Sequence, residues 1–393
     1  GPGEETLFTP EDKENQKPAL YSCKYNGIDV QNMEKGDINS SLKGDCSSVY
    51  KITIIDDGKY IDKSIDKAIT NKQAVKWDNA NNKCVTSTGA DVRSMDGEII
   101  ENEYACTGDA YFIDGNWLGN VVIENMGAGV ESEGVKNYVC FGSNESPCPI
   151  DNLYRIIGVF DHKISETKTE QRVKLIKYDY ATSNLLGTDG DYKGKYTDAN
   201  GYYKGSNFEN IAAYYWNNAT KTNTWSESNL NKINLNTNFL TNIGKEWADK
   251  IVETTWKVVG NTRNNIIFAI PSVVYQNEIA TPGENITHDA KIGLMYVSDY
   301  GFAADPSAWT TKLSISDDNV IANNWMYMGL NEWTISRLVE GSDDDDAFCV
   351  SGYGYVNWYG VFFDFGIRPT FSLSSSTTYK LGQGTAADPI RIN

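Results

Sequence analysis

The sequence predicts an α+β protein in which a small β-rich domain precedes a larger mixed domain. Three observations carry this. Short alternating apolar runs occupy both ends of the chain, whereas helix-start signals cluster between residues 206 and 251. Aromatic residues make up 12% of the chain and glycine occurs 34 times, a mix suited to short strands and turns. Six of the seven cysteines fall within the first 150 residues, which sets that segment apart. With 393 residues, 40% of them hydrophobic, the chain is long enough for two ordinary cores.

Gly1-Pro2 reads as the scar of a removed tag, and residues 3–20 as a polar tether with little to bury. Residues 21–150 form the expected small domain. Its runs VYKITII, AYFIDG, NVVIENM and NYVCF are separated by the turn signals DDGK, TSTGAD and MDGE. SIDKAI, residues 64–69, is expected to belong to a short helix. The segment carries Cys23, Cys46, Cys84, Cys106, Cys140 and Cys148 without a CxxC pair, which points to disulfides and away from zinc. Cys140 and Cys148 bracket a turn-rich polar loop and are the best local pair.

Residues 151–393 form the second expected domain. NLYRIIGVF and RVKLIKYDY read as a strand hairpin. Residues 185–205 are rich in Asp, Gly and Tyr, but Lys193 stands where an EF-hand needs its third ligand, so a solvated loop is expected. Ser206 and Glu209 make a capping box ahead of Phe208, Ile211, Ala212 and Tyr215 at helical spacing. Thr224 and Glu227 repeat the box before Leu230 and Ile233, and Gly244 separates a further short helix marked by Trp247 and Ile251. Strands return beyond Gly260, and the first and last strands of this domain are expected to pair.

The net charge of −18 argues against nucleic acid and anionic membrane surfaces as partners. No apolar run reaches the roughly 18 residues a membrane span needs. An enzyme is not expected. There is no G-x-S-x-G elbow, P-loop or GxGxxG, and the chain's two histidines, His162 and His288, lie in charged stretches that read as surface. No metal or other cofactor is assigned. The carboxylate run Asp343, Asp344, Asp345 and Asp346 must face water or bind a cation, and calcium is left open there.

The stretch after that run carries the functional signal. Tyr353, Tyr355, Asn357, Trp358, Tyr359, Phe362, Phe363 and Asp364 combine large rigid rings with adaptable polar groups, as antibody-like binding surfaces do. In a strand, alternate side chains face opposite ways, so one parity packs inward and the other is displayed. Phe348, Cys349 and Val350 read as core.

From Asn152 onward the chain resembles a family of bacterial surface proteins, often prepilin-like at their N-terminus. The matching residues are NLYRIIGVF at 152, KLIKYDYA at 174, WSESNL at 225, LNTNFL at 235, KIGLMYVSDYG at 291, NEWTISR at 331 and GIRPTFSLSSS at 366. The order N-E-W-T, an aromatic Gly-rich stretch, then G-I-R-P also resembles the C-type-lectin fold of the formylglycine-generating-enzyme type. The oxidase branch of that group needs a C-terminal cysteine pair, and this chain has Cys349 alone there. The other branch comprises variable proteins of diversity-generating retroelements. Its mutated AAY codons never yield Lys, Glu, Gln, Met or Trp, and between Gly341 and Arg368 only Trp358 is of an excluded type.

The resemblance implies a C-type-lectin-like domain that displays residues 341–364 to a protein or glycan on another cell or surface, outside the cytoplasm. It implies Trp333 and Arg368 as framework residues, and membrane contact only through an N-terminal anchor ahead of Glu4. The alternative expectation is a minor pilin or surface-layer subunit, with a formylglycine-generating-enzyme-like oxidase behind it.

Overall fold

The computed structural model describes residues 4–6, 48–56, 59–66, 71–93, 98–107, 109–113, 116–128, 130–131, 134–135, 137–198, 202–304, 308–309, 311–315, 324–342, 345–380 and 384–392. The protein is a mixed α+β chain with more strand than helix. It divides into two compact units, residues 44–135 and residues 136–393 together with 1–43. The sequence placed the boundary near residue 150. It falls earlier because Tyr138–Cys140 is a strand of the second unit. Among the described residues no helix is long and apolar enough to cross a membrane.

The first unit is built on an antiparallel sheet in the order Lys59–Asp66, Ser48–Asp56, Asn116–Ala128, Asp109–Ile113, Asn71–Asp78 and Lys83–Thr86. Residues 64–66 of the expected helix SIDKAI are strand, paired with 49–51, and 67–69 lie outside the described residues. Cys84 and Cys106 form a disulfide beside buried Val92, Ile100 and Ala110. Cys23 and Cys46 lie outside the described residues.

The second unit begins with β1 (Tyr138–Cys140), β2 (Leu153–Lys163) and β3 (Thr169–Lys177). The apolar alternation of the last two makes the expected antiparallel hairpin, with Ile156 opposite Leu175. β4 (Tyr192–Lys195) and β5 (Ala212–Tyr215) follow. Where a helix was expected across 208–215, only Phe208–Asn210 turns, and Ala212–Tyr215 is a strand held by β4. A helix of the wide, i→i+5 type runs over Leu230–Phe239, and a short one over Lys245–Ala248. Ile251, expected in that last helix, starts the strand Ile251–Val252.

The C-terminal strands are β6 (Glu332–Leu338), β7 (Asp346–Val350), β8 (Val356–Gly360), β9 (Asp364–Phe365), β10 (Thr370–Leu373) and β11 (Ile390–Ile392). β11 runs parallel to β1 and β10 antiparallel to β3, so the start and end of this unit meet in one sheet. Glu4–Thr6, within the expected tether, pairs with Thr378–Lys380 at its edge. The disulfide Cys140–Cys148 closes the polar loop after β1.

Both faces of the β2–β3 hairpin are covered. Val173 and Leu175 face a core with Leu235, Phe239, Trp247 and Phe371. Ile176 faces a second core with Ile266, Val297, Phe348 and Val356. Each fully buried side chain of this size contributes roughly 1.5–3 kcal/mol of transfer free energy, and β6–β8 send side chains into both cores, Trp333 and Cys349 into the first and Phe348 and Val356 into the second.

The loop expected to be solvated at 185–205 is partly built in. Asp191 is buried, and its carboxylate accepts the N–H groups of Leu230 at 2.7 Å and Asn218 at 3.1 Å. Asn234 of the wide helix donates to the carbonyls of Leu186 and Asp189. These are the bonds of a structural carboxylate and a structural amide, and they tie the loop to the helix.

Candidate ligand-binding face

The frame comes first, because it sets where the aromatic stretch can go. Arg368 and Glu332 form a two-pronged ion pair, with Nε to Oε2 at 2.9 Å and Nη2 to Oε1 at 2.5 Å. Arg368 also donates to the carbonyls of Met326 at 2.6 Å and Tyr178 at 3.4 Å. Both side chains are sealed from solvent. Burial pushes the Glu332 carboxyl up and works against the guanidinium, whose pKa Glu332 nevertheless holds above its ordinary value. The two shifts pull against each other, and the two-pronged geometry decides for the ionised pair. Trp333 is fully buried, donates Nε1–H to the Tyr214 carbonyl at 3.2 Å, and packs 4.6 Å from the Phe365 ring.

β7 lies on this frame with Ala347, Phe348, Cys349 and Val350 all buried. Its partner β8 puts Trp358 opposite Phe348 and Asn357 opposite Cys349. One parity of β8, Val356 and Trp358, packs on the second core. Trp358 is further covered by the Arg263 guanidinium, 4.9 Å above its ring, which Glu340 holds at 2.6 Å. Trp358 was expected in the ligand-binding set; here it is half-buried and covered from within the unit.

After β8 the chain turns sharply at residues 360–363. The Phe363 N–H bonds the Gly360 carbonyl at 2.9 Å, and buried Val361 acts as a peg. Val361 donates to the Asp345 carbonyl at 2.7 Å and accepts from the N–H groups of Trp216 and Asn217, each at 3.0 Å. Pinned in this way, the turn holds Phe362 and Phe363 outward at 41% and 44% exposure, beside Tyr359 at 37%. Their rings touch in series. Phe362 lies 5.4 Å from Phe363, Phe363 lies 5.2 Å from Tyr359, and Tyr359 lies 5.4 Å from buried Phe365.

A second group lies before β8. The turn at Ser351–Tyr355 is held by Gly354 N–H to Ser351 O and Ser351 N–H to Tyr355 O, each 2.8 Å. The hydroxyls of Tyr300 and Tyr327 donate to the carbonyls of Gly354 and Gly352. Tyr353 stands 55% exposed. Its ring is parallel to that of half-buried Tyr355 at 6.4 Å, and 5.3 Å from Tyr202.

Sequence reasoning missed Tyr202. It is 59% exposed and comes from outside the 341–364 stretch. The Lys204 N–H bonds the Met328 carbonyl at 2.9 Å, and the Tyr203 hydroxyl bonds Asp179 at 2.5 Å, so Tyr202 is carried on a docked segment. The doubled tyrosine in the Gly-rich NGYYKG was the available signal.

The remaining predicted residues are placed as follows. Asp345, Asp346, Asn357 and Asp364 are half-buried, and Asp343 and Asp344 lie outside the described residues. Desolvation raises the Asp364 carboxyl, with Lys193 opposing and Asp198 adding to the rise. Among the described residues no three His, Cys, Asp or Glu side chains converge on a metal-sized site. The histidines, expected at the surface, are both half-buried. Burial, with Arg172 and Lys174 nearby, lowers His162 to about 4, and His288 Nε2 lies 2.9 Å from Asn231 Nδ2. Cys349 is buried and unbridged, and burial pushes its thiol up, which disfavours the reactive thiolate.

No protein-family model, no curated protein and no solved structure matches this chain.

Proposed function

We propose that this chain is an extracytoplasmic ligand-binding protein whose second unit, C-type-lectin-like, displays an aromatic face to a protein or glycan on another surface. One observation carries the reading. Four of the seven exposed large aromatic side chains among the described residues, Tyr353, Tyr359, Phe362 and Phe363, fall within residues 353–363. Rings left in water on a pinned backbone bury area on binding at little ordering cost. Exposed aromatic clusters of this kind mark interaction sites.

The C-type-lectin-like part is supported by the meeting of chain ends in one sheet and by the buried pair joining NEWT to GIRP through Glu332 and Arg368. An extracytoplasmic setting is supported by the disulfides Cys84–Cys106 and Cys140–Cys148. Genetic diversification of the face would be established by a reverse-transcriptase gene beside a near-copy of the DNA encoding residues 337–368.

The test combines Tyr353→Ala, Tyr359→Ala and Phe363→Ala. The variant is expected to melt within about 2 °C of the parent, because exposed substitutions cost little. It is also expected to lose the parent's binding to intact cells. A large fall in melting temperature would show the rings to be core and sink the reading. Concentration-dependent assembly abolished by the same changes would favour a pilin or surface-layer subunit instead.

A further inference from the structure

We infer that the ring group Tyr359, Phe362 and Phe363 receives an arginine or lysine side chain from a basic protein partner. This rests on the ligand-binding reading above and adds the chemistry of the group that enters.

The group is flanked by acidic residues. Asp345 supplies the carbonyl that pins Val361, Asp346 pairs with Gly360, and Asp364 directly follows Phe363. Among the described residues, Asp198 adds to the acidic side at Asp364 and Lys193 opposes it, while Arg337, two strands from Tyr359, bonds Asn223 and lies 3.6 Å from Glu284. The whole chain carries a net charge of −18 and repels an acidic partner at long range.

Two of the three rings are phenylalanines, which have no hydroxyl for a polar ligand to use. A guanidinium suits both parts of such a site at once. It stacks on ring faces and pairs with carboxylates, and it sheds water more readily than an ammonium. The second ring group, Tyr353 and Tyr355, lies at the other end of β8. Tyr355 and Tyr359 are four residues apart, so the groups stand roughly 13 Å apart along the strand. A ligand touching both must be extended, which fits a protein segment.

The test uses three probes on the full chain: a capped hexa-arginine peptide, its hexa-glutamate counterpart and dextran. Wild type is expected to bind hexa-arginine with an affinity that falls as salt rises, and neither of the others. Tyr359→Ala, Phe362→Ala and Phe363→Ala together leave the net charge unchanged and are expected to weaken binding about tenfold. If that variant melts early, Asp345→Asn with Asp364→Asn serves in its place, expected to weaken binding severalfold. Unchanged hexa-arginine affinity in the ring variant would mean diffuse charge attraction, and in the carboxylate variant would mean that Asp345 and Asp364 do not meet the peptide; either would overturn the inference. So would dextran binding that depends on the rings, or no hexa-arginine binding at all. In each of these cases a ring-dependent loss of cell binding without loss of stability would leave the ligand-display reading standing.

Discussion

Glu278 sits where a carboxylate is costly. It is 2% exposed, and its oxygens accept the N–H groups of Val297 and Ser298, each at 2.9 Å, and the Ser336 hydroxyl. Tyr296 senses both this carboxylate and Asp299, which pairs with Lys174 at 2.6 Å. Burial raises the Glu278 pKa from 4.5 to about 7, with the hydrogen bonds opposing. The folded state therefore binds this proton more tightly than the unfolded chain. The contribution of Glu278 to stability is expected to fall as pH rises from 4.5 to about 7, and to be level above that. The loss is on the order of 3 kcal/mol. Urea titrations of wild type and Glu278→Gln across that window should show a steeper fall in the wild type, and parallel curves would place the carboxylate in contact with water. Lys177 presents the opposite charge in a similar position. It is 1% exposed, its Nζ makes no hydrogen bond, and burial lowers its pKa against Asp179 and Asp151. Lys177→Met should keep the packing and stabilise the protein by roughly 1–3 kcal/mol at neutral pH. A destabilised Met variant would mean that the charge is better compensated than its geometry indicates.

At the scale of elements, two glycines separate display from support. Gly360 has an ordinary backbone, but a Cβ there would lie 2.6 Å from the tip of the Phe362 ring. That ring is exposed and can swing. Gly360→Ala should thus change stability by less than about 0.5 kcal/mol while weakening binding through the re-aimed ring. Gly329 has φ +96°, and a Cβ there would meet the Tyr202 carbonyl oxygen at 1.9 Å. No side-chain rotation relieves a backbone clash, so Gly329→Ala should cost about 1–3 kcal/mol in denaturant titrations and undock residues 202–204. Equal costs at the two positions would contradict this division. The sequence showed the β2–β3 hairpin plainly, because Val173, Leu175 and Ile176 each have a core to face. It also marked Phe348, Cys349 and Val350 as interior. It misled at 206–215, where Phe208–Asn210 make one turn without a side-chain cap and Ala212–Tyr215 is then captured between β4 and β9. Strand pairing across more than 140 residues leaves no local trace. The same reason hid Tyr202, whose role depends on Gly329 and Met328 far along the chain, and the covering of Trp358 by Arg263.

At the scale of the molecule, each of the two disulfides among the described residues belongs to one compact unit. Cys84–Cys106 spans 22 residues within 44–135, and Cys140–Cys148 spans 8 within 136–393. Closing loops of these lengths restricts the unfolded chain by roughly 3.4 and 2.5 kcal/mol respectively. If the units unfold separately, each bridge should protect only its own transition. Replacing Cys84 and Cys106 by Ser should lower one calorimetric transition and leave the second in place, and replacing Cys140 and Cys148 should do the reverse. Ligand capture by the aromatic face should survive the first change at temperatures where the second unit is folded, since that face and its frame, Glu332, Arg368, Val361 and Trp333, all lie within 136–393. A single transition lowered by either replacement would show that the two units unfold together.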